Sequence, residues 1–219
     1  MTRGDSALDG IAPPPLVRLA TIDEIPTLAT ILARAFDQDP LVDWWARKDG
    51  KRTAVIKEMF AYSLRQDVPL ETVYVTEDYS GVALWEPPDG TAHGLRDTLG
   101  ELRLFMHVAG LRHLPAVWRS IRMLADHHPH TPHFYLLAIG VLPGQQGRGL
   151  GEALMRPVLE RCDLEGIPGY LVCTASRNIP FYERNGFRVT EEIKLPRDGP
   201  PQWLMWRDPS SLGEGDAGS

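Results

Sequence analysis

The chain has 219 residues, of which 43% are hydrophobic and 24% charged, a composition typical of a globular protein with a buried core. Its formal net charge is −6, from 23 basic and 29 acidic side chains, so we expect no nucleic-acid partner held by phosphate contacts. A mildly acidic surface does suit a cationic small substrate. The N-terminal segment lacks the long apolar run of a signal peptide or a membrane span, and we therefore expect a cytoplasmic protein without membrane contacts.

Both ends of the chain have compositions typical of disordered segments. Residues 1–15 are polar and close with three prolines, and residues 208–219 are rich in Ser, Gly and Asp. No linker or repeat separates them, so we predict a single domain over residues 16–207. The two cysteines, Cys162 and Cys173, lack metal-type spacing and are expected to be buried thiols.

The first half of the predicted domain alternates between strands and helices. Thr21 and Glu24 form a capping box, because a hydroxyl and a carboxylate three residues apart can satisfy each other's free backbone amides. This motif predicts that a helix begins here. The elements expected are a strand over Leu16–Ala20, a helix through Leu28–Phe36, a helix over Lys51–Gln66, a hairpin of strands Thr72–Thr76 and Gly81–Trp85, and a helical stretch over His93–Asp126 that breaks near Gly110 and Pro115.

The second half begins with a nearly all-apolar run, Phe134–Val141, which is expected for a strand covered on both faces. The elements that follow are a helix over Gly147–Glu165, a strand over Gly169–Thr174, a short helix over Ile179–Arg184, and strands over Gly186–Ile193 and Gln202–Arg207. A strand–helix–strand unit beside antiparallel strands predicts an α/β (α+β) domain. We expect a mixed, mostly antiparallel central sheet of about six or seven strands, flanked by helices.

A glycine-rich turn, residues 141–151, connects the apolar strand to the helix that follows it. Glycines let the backbone approach a ligand closely and turn its amides toward it. The first turn of the helix adds unpaired N–H groups and a partial positive charge, which suit a diphosphate. Arg148 adds a possible charge-assisted contact to a phosphate.

Two common phosphate-binding motifs do not fit this turn. A P-loop requires Gly-Lys-Ser/Thr at the start of the helix, and the turn has no such sequence. The dinucleotide fingerprint requires Gly-x-Gly-x-x-Gly and an acidic residue after the next strand, and neither is present. What remains is Gln-x-x-Gly-x-Gly, formed by Gln146, Gly149 and Gly151, or else a glycine-rich turn that binds no ligand.

In this motif the sequence resembles the GCN5-related N-acetyltransferase (GNAT) superfamily, whose pyrophosphate-binding signature is Gln/Arg-x-x-Gly-x-Gly/Ala. The segment Asn178–Phe187 resembles the second motif of the superfamily, with Tyr182 at the position of its usual general acid. More narrowly, the chain resembles the branch that includes puromycin N-acetyltransferase. The segments that carry this resemblance are Val17–Thr21, Ala83–Trp85, Arg156–Pro157, Asn178–Arg184, and Trp203 with Met205 in the last strand.

The resemblance implies the acyl-CoA N-acyltransferase (GNAT) fold, in which the fourth and fifth strands splay apart and admit the pantetheine arm. Acetyl-CoA is then the co-substrate, with no metal. Pro157, inside a predicted helix, fits a kink that the fold tolerates. The residues expected to bind acetyl-CoA are Ile139, Gly140, Val141, Gln146, Gly147, Arg148, Gly149, Leu150, Gly151 and Asn178.

Acetyl transfer to an amine requires a base for the amine and a proton donor for the departing thiolate. Tyr182 is the candidate acid, since a phenol with an ordinary pKa of about 10 is protonated at neutral pH. The alternative is that Tyr182 is only an aromatic residue of the core, beside Phe181 and Phe187. Relatives often carry a glutamate as base on the fifth strand, where this chain has Val172. Glu86 is the candidate base in place of that glutamate. The alternatives are that Glu86 is only a solvated loop carboxylate, or that bulk water deprotonates the amine.

Histidines cluster in the segment Asp126–His130, with His133 close by. The segment is interrupted by proline and its spacing matches no standard zinc site, so we predict no metal. His133, the pair Trp44–Trp45 and the stretch His93–Asp126 are candidates for the wall of an acceptor pocket, with packing in the core as the alternative.

The sequence therefore predicts an acetyl-CoA-dependent N-acetyltransferase that acts on a primary amine of a small molecule, by direct attack on the thioester with a tyrosine as general acid. Two alternatives stay open: transfer to a protein or peptide amine, and a non-catalytic module that senses acyl-CoA. The absence of a glutamate at Val172 supports the sensor, and Tyr182 argues against it. We expect a monomer or a homodimer.

Overall fold

The computed structural model describes residues 15–88 and 115–210. Within these ranges seven strands form one sheet, in the order β1-β2-β3-β4-β5-β7-β6. The strands are β1 (Val17–Leu19), β2 (Val73–Thr76), β3 (Gly81–Glu86), β4 (Phe134–Val141), β5 (Gly169–Cys173), β6 (Arg188–Lys194) and β7 (Pro201–Arg207). The helices are α1 (Ile25–Ala35), α2 (Pro40–Trp45), α3 (Arg52–Asp67), α4 (residues 115–126), α5 (Leu150–Glu165) and α6 (Ile179–Arg184).

Neighbouring strands are antiparallel except β4 and β5, which run parallel. This confirms the predicted single domain with a mixed, mostly antiparallel sheet flanked by helices. A parallel pair needs a crossover connection, and α5 supplies it between β4 and β5. The predicted strands agree with the observed ones to within a few residues at each end.

Parts of the sequence-based prediction fall on residues that the structure does not describe. These are residues 1–14 and 211–219 of the two predicted tails, and residues 93–114 of the predicted helical stretch. Residues 115–126 of that stretch are helical, in agreement with the expectation. No helix within the described ranges combines the length and the apolar character that crossing a bilayer would require.

The helices cover the two faces of the sheet, and each face has its own core. On one face, which we call the α1 face, Leu28 and Leu32 of α1 and Leu64 of α3 are completely buried. On the opposite face, the α5 face, Leu154 and Met155 of α5 are completely buried. Full burial of one such side chain contributes about 1.5–3 kcal/mol, so these two layers hold the helices against the sheet.

The α1 face continues over β5, β7 and β6, where α4 covers it. Met123 and Leu124 of α4 pack against Tyr170 of β5 and Leu204 of β7. On the α5 face the thiols of Cys162 and Cys173 are both buried and free, as predicted. Burial raises the pKa of Cys162 to about 12, which makes this thiol unreactive at neutral pH.

A buried ion pair fixes the turn after α6 to the rest of the domain. The Arg207 guanidinium, 7% exposed, donates two hydrogen bonds of 2.8 Å each to the carboxylate of Asp163 on α5. Arg207 also donates to the carbonyl of Asn185 at 3.2 Å, and the Asp163 carboxylate accepts from the backbone N–H of Ser210 at 2.7 Å. The geometry is bidentate and well satisfied, so it orients α6 relative to α5 and β7.

The sequence did not predict α2, a helix of only six residues. Its start is nevertheless well defined, because Asp39 caps it and Pro40 occupies its first position. A helix of this length contains fewer than two turns, so its apolar residues show no helical periodicity. The predicted capping box, in contrast, is present in the structure: the backbone N–H of Thr21 donates to the Glu24 carboxylate at 2.8 Å.

Candidate active site

Strands β4 and β5 separate partway along their length. They pair only at Phe134 with Gly169, Tyr135 with Tyr170 and Leu136 with Leu171. β4 then continues to Val141 without pairing to β5, although its other edge stays paired with β3. The fourth and fifth strands therefore splay as expected, and the backbone of β4 beyond Leu136 borders a gap.

A β-bulge lies at the point where the gap opens. Trp85 of β3 pairs with Leu136, whereas the preceding Leu84 pairs with Ala138, so Leu137 has no partner on β3. A bulge bends its strand and increases the local twist, which turns the second half of β4 away from β5. The gap is thus a consequence of the β3–β4 register.

Of the three β4 residues predicted to bind acetyl-CoA, Gly140 has a packing role. A Cβ atom at this position would lie 2.8 Å from the Cβ of Ala35 on α1, closer than two such carbons approach in folded proteins. The glycine thus lets α1 pack directly on the strand beside the gap. Ile139 and Val141 pack on the opposite, α5 face.

The glycine-rich turn lies between β4 and α5, and three of its glycines have a left-handed backbone conformation. Gly144, Gly147 and Gly149 have positive φ angles of 84°, 77° and 76°. A Cβ atom built at any of the three would meet nothing within 4 Å, so the turn is open to solvent on that side. Residues that carry a side chain rarely adopt this left-handed backbone conformation, which explains why glycine occupies these positions.

The first turn of α5 presents free backbone donors to this open side. The N–H of Ala153 bonds to the carbonyl of Gly149 at 3.0 Å, and this is the first hydrogen bond of the helix. The amides of Leu150, Gly151 and Glu152 precede it and have no helical acceptor, as at any helix start. These amides and the positive end of the helix dipole are available to an anion.

Side chains of the turn bond to one another and leave the glycines uncovered. Arg148, which is exposed, donates to the side-chain oxygen of Gln145. The amide of Gln146 is 3.5 Å from the carbonyl of Val141, so it lies across the junction of strand and turn. Gly151, the last glycine of the motif, touches α6: its Cβ position is 3.0 Å from the Phe181 ring. This glycine therefore keeps α5 and α6 close together.

Tyr182 lies on α6 in a buried position, 9% exposed, with its ring against those of Phe181 and Phe187. Its pKa is raised above the ordinary value, first by burial and then by the charges of Cys173 and Asp39 when these are ionised. The hydroxyl therefore stays protonated through the neutral range, as a proton donor must. Cys173 ends β5, so Tyr182 lies beside the β5 edge of the gap.

Asp39 is a candidate site residue that the sequence-based reasoning missed. Its carboxylate is buried, 7% exposed, and accepts from the backbone N–H groups of Leu41 and Val42 at 2.9 and 3.1 Å. The other oxygen accepts from the hydroxyl of Thr174, which follows β5 directly. Asp39 thus joins the loop before α2 to the end of β5, next to Tyr182. The Asp-Pro dipeptide, a typical helix start, was its only signal in the sequence.

Glu86 lies on the α1 face at the end of β3, directly opposite Tyr135 of β4. The pKa of Tyr135 is raised, first by burial and then by the charges of Glu86, Tyr170 and Tyr182. Tyr135 is therefore a common neighbour of the candidate base and the candidate acid. Both Glu86 and Tyr182 are thus close enough to Tyr135 to affect its pKa.

Asn178 is exposed at the start of α6, where its side chain makes no capping hydrogen bond. Tyr182 follows four positions later in the same short helix, of which Asn178 is the N-cap. Trp44 of α2 contacts the loop between β6 and β7, since a Cβ atom on Gly199 would lie 3.2 Å from its ring.

The histidines pack as aromatic side chains. The rings of His128 and His133 are 4.8 Å apart, and both lie 5.2 Å from the ring of Tyr170. His133 is 7% exposed, and its Nδ1 is 2.7 Å from the carbonyl of Thr131. Among the residues described, no three His, Cys, Asp or Glu side chains meet in a metal-binding arrangement.

Comparison with known proteins places this geometry in context. Residues 108–187 match the model of the Acetyltransferase (GNAT) family. The chain is 27% identical over 197 residues to an uncharacterized N-acetyltransferase of Schizosaccharomyces pombe, covering 84% of this chain and 79% of that protein.

Two solved structures share the whole fold. A histone acetyltransferase HPA2-related acetyltransferase from Corynebacterium glutamicum superposes with a TM-score of 0.68 at 24% identity, covering 90% of this chain and 98% of its own. A Drosophila melanogaster polyamine N-acetyltransferase that forms N-acetylagmatine gives a TM-score of 0.61 at 19% identity, with coverages of 88% and 99%. The chain thus has the fold of the GNAT acyl-CoA N-acyltransferases, and the family match supports a GNAT superfamily acetyltransferase.

Proposed function

We propose that this protein is an acetyl-CoA-dependent N-acetyltransferase that acts on a primary amine of a small molecule. The observation that supports this proposal best is the convergence of three features. These are the gap between β4 and β5, the open glycine turn at the start of α5, and the buried hydroxyl-bearing Tyr182 beside the gap. Acetyltransferases of the GNAT family use acetyl-CoA, and these features fit its parts.

In this proposal the amides of Leu150 and Gly151 and the turn around Gln146–Gly149 bind the diphosphate. The free edge of β4, at Ile139–Val141, pairs with the pantetheine amides, and Asn178 approaches the same arm from α6. Arg148 adds a cation that is free to reorient, since its present partner is only the neutral side chain of Gln145. The acetyl thioester supplies the carbonyl carbon that the amine attacks.

Tyr182 donates its proton to the sulfur as the carbon–sulfur bond breaks and the nitrogen–carbon bond forms. General acid catalysis of this kind accelerates a reaction by about 10²–10⁴-fold. Holding the amine and the thioester close together and correctly oriented supplies much of the remaining acceleration. The tyrosine recovers its proton from solvent when CoA leaves.

Two carboxylates are available to accept the proton of the amine. Glu86 is partly exposed and borders the half-buried ring of Tyr135, so an incoming ammonium group can reach it. Asp39 is nearer to Tyr182, but its oxygens already accept three hydrogen bonds, which hold its side chain at the start of α2. We therefore propose Glu86 as the proton acceptor, acting directly or through water, and Asp39 as a residue that positions the α2 loop.

A small amine is the acceptor that the charge and the neighbours favour. The net charge of −6 and the carboxylate of Glu86 attract a cation. The Drosophila neighbour acts on a polyamine-type substrate, agmatine. The resemblance to the puromycin branch adds aminonucleosides to the candidates. A cytoplasmic location is part of the same proposal.

The proposed function is tested by the release of free CoA from acetyl-CoA, followed with a thiol reagent. The panel contains agmatine, putrescine, an arylalkylamine, puromycin and a peptide with a free N-terminus. We expect release that depends on at least one small amine, with mass spectrometry detecting the acetylated product. Release stimulated only by the peptide would overturn the small-molecule acceptor, and acetyl-CoA binding without any release would favour the sensor.

We expect Glu86→Gln to lower kcat/KM at pH 7 about tenfold, because the carboxylate that accepts the proton of the amine is lost. Asp39→Asn is the comparison, since asparagine caps a helix as well as aspartate and only the charge changes. Glu77→Gln, at the turn between β2 and β3, is a control for the loss of a negative charge. If Asp39→Asn lowers kcat/KM about tenfold and Glu86→Gln leaves it unchanged, Asp39 is the base instead.

A further inference from the structure

A second cleft, of about 300 Å³, lies on the α1 face away from the gap between β4 and β5. The residues that line it include Tyr170 of β5, Trp206 of β7, Glu191 of β6 and His127 of the segment after α4. Tyr170 lies two strands from Glu86 in the sheet, a separation of about 10 Å at ordinary strand spacing. The rings of His128 and Tyr135 stand between the two regions.

Tyr170 lines this cleft, and its buried hydroxyl has no hydrogen-bond partner among the described residues. Its side chain is 2% exposed, and within residues 15–88 and 115–210 no group donates to or accepts from its oxygen. A buried hydroxyl that satisfies none of its hydrogen bonds is unfavourable, so such a group commonly marks a site for a ligand or a water. Burial and the Glu191 carboxylate raise the pKa of Tyr170 to about 12, which agrees with an uncharged hydroxyl facing that carboxylate.

The other polar groups of the cleft are mainly acceptors. The Glu191 carboxylate is half exposed, and Nε2 of His127 lies 3.8 Å from it. Nδ1 of His127 is 2.7 Å from the carbonyl of Met123, so Nδ1 carries a proton and donates it to that oxygen. Thr190 donates its hydroxyl proton to the carbonyl of Leu204 at 3.1 Å and keeps only acceptor capacity.

Arg188, the cationic side chain that lines the cleft within the described residues, is already paired. Arg188 bonds to the Asp208 carboxylate at 2.7 Å, and that carboxylate also accepts from the indole N–H of Trp206 at 2.8 Å. The charge of Glu191 is therefore the one that a ligand in the cleft would meet. The aromatic rings of Trp206 and Tyr170 add surfaces that attract cations.

We propose that this cleft binds an organic cation with N–H donors, a guanidinium or primary ammonium group, between Glu191, the Tyr170 hydroxyl and the Trp206 ring. The cation donates to the carboxylate and to the phenol oxygen, which gives the buried hydroxyl the partner that it lacks. The site is separate from the proposed acetyl-transfer site and goes beyond that function. It gives the protein a second place at which an amine-type molecule is recognised.

The probe for this site is methylguanidinium chloride, titrated into the full-length ¹⁵N-labelled protein at constant ionic strength without acetyl-CoA. The indole N–H signals of two tryptophans serve as reporters. Trp206 lines the cleft, whereas Trp203 bonds to Glu192 at the neighbouring position of the β6–β7 ladder. We expect the Trp206 signal to shift to saturation and the Trp203 signal to stay in place. A shift that rises linearly without saturating, or equal shifts of both signals, would overturn the proposal.

Two variants and a control variant test which groups of the cleft bind the methylguanidinium ion. Glu191→Gln removes the carboxylate and should weaken binding about fivefold or more, because a charge-assisted hydrogen bond is lost from a partly exposed site. Tyr170→Phe should weaken it about threefold through the loss of one neutral hydrogen bond. Glu192→Gln, with the same change of charge at the next residue, should leave the affinity unchanged. Equal losses in the Glu191 and Glu192 variants would reduce the effect to general charge attraction and reject the site.

These measurements use neither acetyl-CoA nor a transferable amine. Their failure would leave the proposed acetyl transfer intact, and absence of transfer activity would not affect the binding result.

Discussion

We expect Tyr182→Phe to lower kcat about 100-fold or more while leaving the affinity for acetyl-CoA within about twofold of the wild type. The lost factor is the general acid contribution, since phenylalanine keeps the ring and removes only the proton donor. The ring packs against Phe181 and Phe187, so the substitution preserves the shape of the core. Steady-state kinetics with the best amine of the panel and calorimetric titration with acetyl-CoA measure the two quantities.

The environment of Tyr182 gives this prediction a pH dependence. Because burial and the neighbouring Cys173 and Asp39 raise its pKa above the ordinary value near 10, the wild-type rate should show no loss from ionisation of this tyrosine between pH 7 and about 10. Tyr74→Phe is the matched control: it removes the hydroxyl of a half-buried tyrosine on β2 that lies beside Arg161. Wild-type turnover in Tyr182→Phe would exclude this residue as the acid.

The second large effect is expected from Gly149→Ala, which should weaken acetyl-CoA binding about tenfold or more. Gly149 has a φ of 76° at the N-terminus of α5, a conformation that costs alanine about 1 kcal/mol or more. The new methyl group would project into the open side of the turn, where the diphosphate is proposed to bind. Relaxation of the strain would also turn the first amides of the helix away from that anion.

The variant Gly144→Ala distinguishes a loss of acetyl-CoA binding from the general effect of backbone strain in the turn. Gly144 has a φ of 84° and equally open surroundings, but it precedes the Gln146–Gly151 motif. Both variants should therefore lose a similar amount of unfolding free energy, roughly 1 kcal/mol, as measured by urea denaturation. Only Gly149→Ala should lose affinity for acetyl-CoA in calorimetric titration. Equal affinities for the two variants would argue against diphosphate binding at this turn.

The fold was largely predictable because its strongest local signals are periodic. The apolar run Phe134–Val141 predicted β4, which occupies the same residues, and the amphipathic stretch Gly147–Glu165 predicted α5, which begins at Leu150. The glycine-rich turn was also located correctly between β4 and α5, since its glycines stand out in the local sequence. Short elements without periodicity, such as α2, left no comparable signal.

Candidate site residues can be named from the sequence only where a local motif marks them. Gln146, Gly149 and Tyr182 belong to such motifs. Asp39 was missed because its significance comes from Thr174, 135 residues away in the sequence, which donates to its carboxylate. Glu86 was chosen for its place at the end of a strand, whereas its neighbour Tyr135 follows from the β3–β4 register.

By itself the sequence determined the chain order of the longer strands and helices, the position of the glycine-rich turn between β4 and α5 and the presence of a tyrosine in the second motif. These depend on local backbone preferences and on side-chain periodicity, which act over a few residues. Only the tertiary structure decided where β4 leaves β5, how Asp39 reaches the end of β5 and which groups surround Tyr170. Those features depend on strand register and on contacts between distant segments, which come about only when the sheet assembles.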